Sequence, residues 1–343
     1  MSRTARHSFQ ALSAALSTLV FSTVAVAQTT VLFNSFPPPT HMMNQRVFPV
    51  WIKQVEAATQ GRVKIEVSPS SLAPPPGQLD LVLKGGADLA WQFSGVVANR
   101  LAMNQMTQIP SPTGSAAVMS RAIWRTHEKF FVPANEYKGL KLIALFSFPA
   151  AHFYTLKDPL TSIDQVKQMK VLTVPGIDAK AWGALTTGVV TSPVVRYFEL
   201  VSKGTVDAYT SMPIADMLSL NLWKSTKYIV DLKDAKNSGT FALIMNEKKW
   251  ESIAKADQAA IEKVSGEAFA ALMKGVDEVT QEVIAKVTAD GVQRVTAADA
   301  VIAGVKQAYA SAESDWIAEA GKRGVNGRAA LDFYRAQVIE LSK

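Results

Sequence analysis

The phrase LVLKGGADLAW, Leu81 to Trp91, recurs with the same grammar as LVSKGTVDAYT, Leu200 to Thr210. Leu-Val, Lys-Gly and Asp fall at the same offsets in both copies. No other feature of the chain constrains its fold as much. Apolar residues before each Lys face a core. Lys84 and Lys203 then stand in a last helical turn, where a cation suits the negative end of the helix dipole. Gly85 and Gly204 supply the left-handed residue that stops a helix without a Cβ clash. Asp88 and Asp207 come next, and the short apolar runs LAWQF and AYTSM read as strands. Each copy is a helix-to-strand connection of an α/β unit.

The flanking sequence repeats as well. Before the first copy come TTVLFNSF, a helical pattern over about 42–58, and the strand GRVKIEVSP with Val63, Ile65 and Val67 alternating. Before the second come KLIALFSF, a helix near Ile163, the strand MKVLTVPG, and helices around Trp182 and Tyr197. Both halves read strand-helix-strand-helix-strand, which predicts two similar α/β lobes. The expected division is 28–138 for the first lobe, rejoined by a returning segment at about 211–255, and 139–210 for the second. Helices over 256–343 then pack across both. The stretch from Asp257 to Gly291 carries apolar residues at three- and four-residue spacing. Read as one helix, it exceeds the width of either lobe and should brace the two. Ligands of open parallel sheets sit beyond the carboxyl ends of the strands. The residues following Phe33, Ala90, Leu145, Val171 and Ala208 are therefore the expected lining of a cleft.

Residues 1–27 read as a cleaved export signal. Arg3 and Arg6 precede an apolar stretch from Ala11 to Phe21, and Ala25-Val26-Ala27 fits a small-residue cleavage site. No later segment approaches a membrane-spanning length of apolar residues. The chain has no cysteine, so disulfides, thiol nucleophiles and Cys-ligated metal are excluded. Export without cysteine points to a bacterial periplasm. The formal charge of +7 is spread among acids along the helices with no basic block, which disfavours nucleic acid as a partner.

Three stretches carry a family resemblance: GRVKIEVSPSSLAPPPGQLDLVLKGGADLAW, VSKGTVDAY with the following Pro213, and LIMNEKKWESIAKADQAAIEKVSGEA. Their order and spacing resemble the periplasmic solute-binding proteins of TRAP transporters, the DctP-like family, over nearly the whole chain after residue 30. The resemblance implies a two-lobed, type II-like periplasmic solute-binding protein fold of α/β class, with a long C-terminal helix bracing both lobes. It implies a small organic solute in an interlobe cleft and delivery to a sodium-coupled TRAP membrane permease. It implies no cofactor, a chain not itself inserted in the membrane, and a monomer or weak dimer. In this family an Arg in a phrase like GLKIRVPG clamps the solute's carboxylate. Here the phrase is QMKVLTVPG, and Leu172 or Thr173 takes the Arg place. The Arg that some relatives carry ahead of the next strand pair is replaced near Ala151, and an Asn typical of the second lobe becomes Ser211.

The expected ligand-binding residues are Ser35, His41, Gln78, Trp91, Gln92, Phe148, His152, Thr173, Tyr209 and Ser211. His41 comes after the Pro37-Pro38-Pro39 turn that ends the first strand, and could donate to a ligand or cap the next helix. His152 sits at a strand junction in FPAAHFYT. Alternation sends Trp91 and Phe93 to one face and Gln92 to the other. His127 and Arg196 read as surface residues. The histidines show no metal spacing, and no Gly-x-Ser-x-Gly, phosphate loop, His-Glu-x-x-His or dinucleotide pattern occurs. The chain is read as a binding protein and not an enzyme. A sensory protein on the same fold and a periplasmic hydrolase are the alternatives. Without the Arg clamp, small dicarboxylates are expected to bind poorly. An aromatic or branched organic acid is the first expectation and a neutral polar compound the second; with no acidic residue clearly placed in the cleft, an organic cation comes third.

Overall fold

The computed structural model describes residues 28–343; the expected export signal lies outside them. The first lobe opens with β1 (Thr29–Asn34), α1 (Phe48–Ala58), β2 (Val63–Val67), α2 (Gln78–Leu83) and β3 (Leu89–Phe93). β1 runs parallel to β2 on one side and β3 on the other. α1 turns Phe48, Trp51 and Val55 inward, where Phe48 meets Phe33 of β1 edge-on with ring centroids 4.8 Å apart. The chain then forms α3 (Ala116–Thr126) and β4 (Leu140–Ser147) and crosses to the second lobe.

That lobe comprises β5 (His152–Thr155), α4 (Ile163–Gln168), β6 (Val171–Thr173), α5 (Ile177–Leu185), β7 (Val189–Thr191), α6 (Tyr197–Ser202), β8 (Ala208–Met212), α7 (Asp216–Ser219) and β9 (Tyr228–Asp231). β10 (Thr240–Asn246) returns to the first sheet, whose order is β2-β1-β3-β10-β4. Then come α8 (Glu247–Ser252), α9 (Lys255–Lys263), α10 (Glu267–Leu272), α11 (Lys274–Ala289) and β11 (Gln293–Thr296), which closes the second sheet in the order β11-β9-β5-β8-β6-β7. Two long helices finish the chain, α12 (Asp299–Lys322) and α13 (Gly327–Leu341).

The two copies of the repeated phrase build the same joint. Gly85 and Gly204 take φ of 74° and 65°, ending α2 and α6. Asp88 then accepts the Leu32 N–H at 2.8 Å, and Asp207 accepts the Lys170 N–H at 2.9 Å. Each carboxylate thereby ties its strand to the parallel neighbour.

Two expectations need correction. The lobe boundary at 139 is too early, because β4 pairs along its whole length with β10 of the first sheet. Likewise the segment from 213 to β9 stays with the second lobe, and the return starts at β10, followed by α8, whose Trp250 joins the first lobe's core. A local apolar pattern is blind to which sheet accepts the strand. The single helix expected over 257–291 is broken into α9, α10 and α11. At Gly266 (φ 55°) the N–H donates to Ile143 O at 2.9 Å, and the Trp124 ring lies 2.5 Å from where a Cβ would stand. Bracing falls to two helices. α11 puts Val276 in the first lobe's core and Val283 and Val287 in the second's. α12 puts Val301 and Val305 in the second and Trp316 and Ala320 in the first.

Candidate functional site

A cleft lies where the two sheets' strand ends meet. The first lobe lines it with Phe36 and Pro37 after β1, His41, Pro75, Trp91 and Phe93 of β3, Val96, Phe148 after β4, and Phe241 of β10. The second lobe supplies Pro193, Val194 and Val195, Ser211 and Met212 of β8, Pro213, Asp216 and Leu220. Pro149, Ala151, Ser238 and Gly239, from the crossing segments, complete the lining. No Arg or Lys is among these residues.

The first lobe's wall is aromatic. Trp91 stacks on Phe36 with centroids 4.5 Å apart, and Phe241 packs beside Phe148 at 4.7 Å and Phe93 at 5.1 Å. The indole is anchored from behind. Trp91 Nε1 donates to Ser35 Oγ at 2.9 Å, Ser35 donates to Asn44 Oδ1 at 2.7 Å, and Asn44 Nδ2 donates to Pro38 O at 2.9 Å. The proline turn after β1 and the aromatic wall are thus one rigid unit.

The second lobe's wall is largely aliphatic, with Ser211 and Asp216 as its polar side chains. Between Tyr209 and Met212, β8 carries one residue more than its partner β5, since Tyr154 faces Tyr209 while His152 faces Met212. Ser211 absorbs the extra residue with a φ of 67°, the geometry of a β-bulge. The bulge turns Ser211 into the cleft, where its hydroxyl shares a 2.8 Å hydrogen bond with Thr173 Oγ1. Behind it, Tyr309 and Asn237 donate to Asp178 Oδ1 at 2.7 and 2.6 Å. Burial pushes that carboxyl's pKa up, against the hydrogen bonds it receives. This network joins α5, α12 and the crossing segment that holds Ser238.

Of the ten expected site residues, His41, Trp91, Phe148 and Ser211 line the cleft. The other six stand behind or beside it. Ser35 anchors the indole. Gln78 accepts from Asn34 Nδ2 at 2.6 Å and donates to Ala73 O, holding the proline loop. Gln92, on the opposite face from Trp91 and Phe93, accepts the Leu79 N–H and donates to Pro75 O. His152 Nδ1 contacts Ala150 O at 3.1 Å, and burial takes its pKa down to about 4. Thr173 meets the cavity only through Ser211. Tyr209 stacks under β8 on Tyr154 at 4.5 Å and pairs with Thr226. Its offset in the repeat matches Ala90, not Trp91, which is the signal that assigns it to the opposite face.

The expectation of a cleft without an acid is corrected. Asp216 lines it and meets His41 of the other lobe, Nε2 to Oδ1, at 3.0 Å, with both side chains buried. Its position in SMPIAD, just past the second repeat's strand and Pro213, was the available clue. Phe241 had none, because a returning strand from another part of the chain brings it in. Among the described residues no group of three or more His, Cys, Asp or Glu is placed to hold a metal, and no helix is long and apolar enough to cross a membrane.

A model of the bacterial extracellular solute-binding proteins, family 7 (DctP), matches residues 33–318. The outer membrane transporter protein TsaT of Comamonas testosteroni is 37% identical over 311 residues, covering 90% of this chain and 91% of that protein. A TRAP periplasmic solute-binding protein from Bordetella bronchiseptica, with bound (R)- and (S)-mandelate, superimposes with a TM-score of 0.86 at 25% identity, over 91% of this chain and 99% of that one. Another from Rhodoferax ferrireducens, in complex with copurified benzoate, gives 0.82 at 22% identity, over 91% of this chain and 98% of that one.

Proposed function

The chain belongs to the DctP family, family 7 of the bacterial extracellular solute-binding proteins, and from that premise we propose that it carries an aromatic organic acid to a TRAP-type permease. The observation that carries the choice of solute is the wall of Trp91, Phe36, Phe93, Phe148 and Phe241 in a lining without Arg or Lys. An aromatic body gains both apolar burial and ring-to-ring contact there. The mandelate held by the Bordetella bronchiseptica relative supports the same class. The solute's carboxylate meets a neutral donor on the second lobe's wall, the Ser211 hydroxyl. The protein binds and releases without altering the solute, and it works in the periplasm. Because both lobes supply lining residues, the solute favours the closed arrangement by its extra contacts there.

An Arg fork holds a carboxylate by two charge-assisted bonds that Leu172 and Thr173 do not reproduce. Its absence costs a small diacid about 1.5–3 kcal/mol, or one to two decades of affinity. Protein refolded to remove carried-over ligand is titrated calorimetrically with benzoate, phenylacetate, 3-phenylpropanoate, succinate and malate, with small-angle scattering at saturation. Micromolar binding of an aromatic acid with compaction is expected. Succinate or malate binding more tightly than every aromatic acid would overturn the reading.

A further inference from the structure

We propose that His41 and Asp216 read a hydroxyl group on the solute, so that the preferred ligand is a hydroxylated aromatic acid. The inference deepens the aromatic-acid reading and rests on it. His41 and Asp216 are the ionisable side chains of the lining, and they approach from opposite lobes to 3.0 Å with side chains 5% and 6% exposed. The approach is off hydrogen-bond alignment, and Asp216 Oδ1 has no other donor. A buried carboxylate oxygen without a donor is costly, and the cost falls when a ligand supplies one.

His41 fixes which ligand group fits. The Met43 N–H donates to His41 Nδ1 at 3.2 Å, so a neutral ring carries its proton on Nε2, beside Asp216. One acceptor and one donor thus stand together without being aligned on each other. A hydroxyl answers both, giving its proton to Asp216 Oδ1 and accepting from His41 Nε2–H. A carboxylate oxygen placed there has no proton to give and faces a like charge. An ammonium suits Asp216 but meets the Nε2–H with another donor. The Trp91 and Phe148 rings, centred 5.8 and 6.2 Å from the imidazole, put the aromatic wall beside this pair, so a hydroxyl on or near a ring reaches it.

The test uses 3-phenylpropanoate as the parent compound, 3-phenyllactate as its aliphatic alcohol, and its three ring-hydroxylated isomers as phenols. Each is titrated calorimetrically into the ligand-free full chain at one pH. At least one hydroxylated compound is expected to bind about ten- to a hundredfold more tightly than the parent, and which one does separates alcohol from phenol. In Asp216→Leu that ratio should fall to about one. His41→Phe, which removes the other half of the pair, reads the same ratio if the first variant does not fold. A wild-type ratio near one for every isomer, or a ratio that survives both substitutions, overturns the hydroxyl reading alone. Failure of the parent and all derivatives to bind overturns the aromatic-acid reading beneath it.

Discussion

The lobes share a joint and differ in the strand beyond it. Both copies of the repeated phrase end a helix on a left-handed glycine and tie the next strand down through an aspartate. β3 then runs flat against β10 and presents Trp91 and Phe93 to the cleft. β8 bulges at Ser211 and presents Ser211 and Met212, with its aromatic Tyr209 turned into the core. One lobe therefore offers an aromatic surface, and the other a largely aliphatic one into which the bulge brings a hydroxyl. A duplicated scaffold can be kept while its two strand ends diverge, because the joint's bonds lie at the other end of the strand from the cleft.

Exchanging aromatics for alanine at the two strands breaks that comparison most sharply. Trp91→Ala removes the centre of the wall and leaves Ser35 without its donor. Affinity for the aromatic acid is expected to fall about a hundredfold or more, since buried Trp anchors dominate such sites. Tyr209→Ala leaves a cavity against Tyr154 and costs about 3–5 kcal/mol of stability, with affinity of the folded protein within about threefold by the decade scale. Calorimetry and thermal melts separate the two. Equal losses of affinity would show that Tyr209 faces the solute as Trp91 does.

Each lobe also carries a half-buried histidine outside the cleft lining, His127 and His152, and acid should expose both. His127 of the first lobe lies among the rings of Trp124, Phe131 and Tyr137, and burial lowers its pKa from 6.5 to about 4. Burial does the same for His152, assisted by Lys236. Between these values the unfolded chain binds protons that the folded chain refuses. Stability is therefore full above pH 6.5 and is lost as pH falls towards 4. Melting temperature should drop by several degrees from pH 7 to pH 5. His127→Gln and His152→Gln should each flatten the slope; an unchanged slope in both would refute the assignment.

The aspartates sharpen the comparison further. Asp88→Asn and Asp207→Asn each weaken a charge-assisted bond to a strand N–H, at about 1.5–3 kcal/mol. Asp88 should cost more, because it also faces Lys249 at 3.3 Å. Denaturant unfolding gives the order, and the reverse order would refute it.

What the sequence made legible was local and periodic. The Lys-Gly stops and the alternation of Trp91 and Phe93 against Gln92 can be read from spacing within a few residues, and the missing Arg at Leu172 and Thr173 from the family resemblance of QMKVLTVPG. What it hid was decided at a distance. β4 joined the first sheet because β10 came back to pair with it. Gly266 broke a continuous apolar pattern because Trp124 packs over it. Ser211 turned to the cleft through a bulge that shows only against its partner strand. Asp216 was visible as a residue but not as a neighbour of His41, since that contact exists only once two lobes meet.

The smallest effect is the most direct test of whether the two joints are physically equal. Gly85 and Gly204 both take positive φ, and a Cβ built on either meets nothing within 4 Å. Any cost of alanine there is backbone strain alone, about 1–2 kcal/mol. Gly85→Ala and Gly204→Ala should therefore destabilise by the same amount, leave affinity unchanged, and add in the double variant, because the sites share no partner. Chemical unfolding of the two single variants and the double settles it. A cost at one joint more than about 1 kcal/mol above the other exceeds the usual scatter of additivity. It would mean that the repeated phrase, alike in geometry, carries unequal strain in the two lobes.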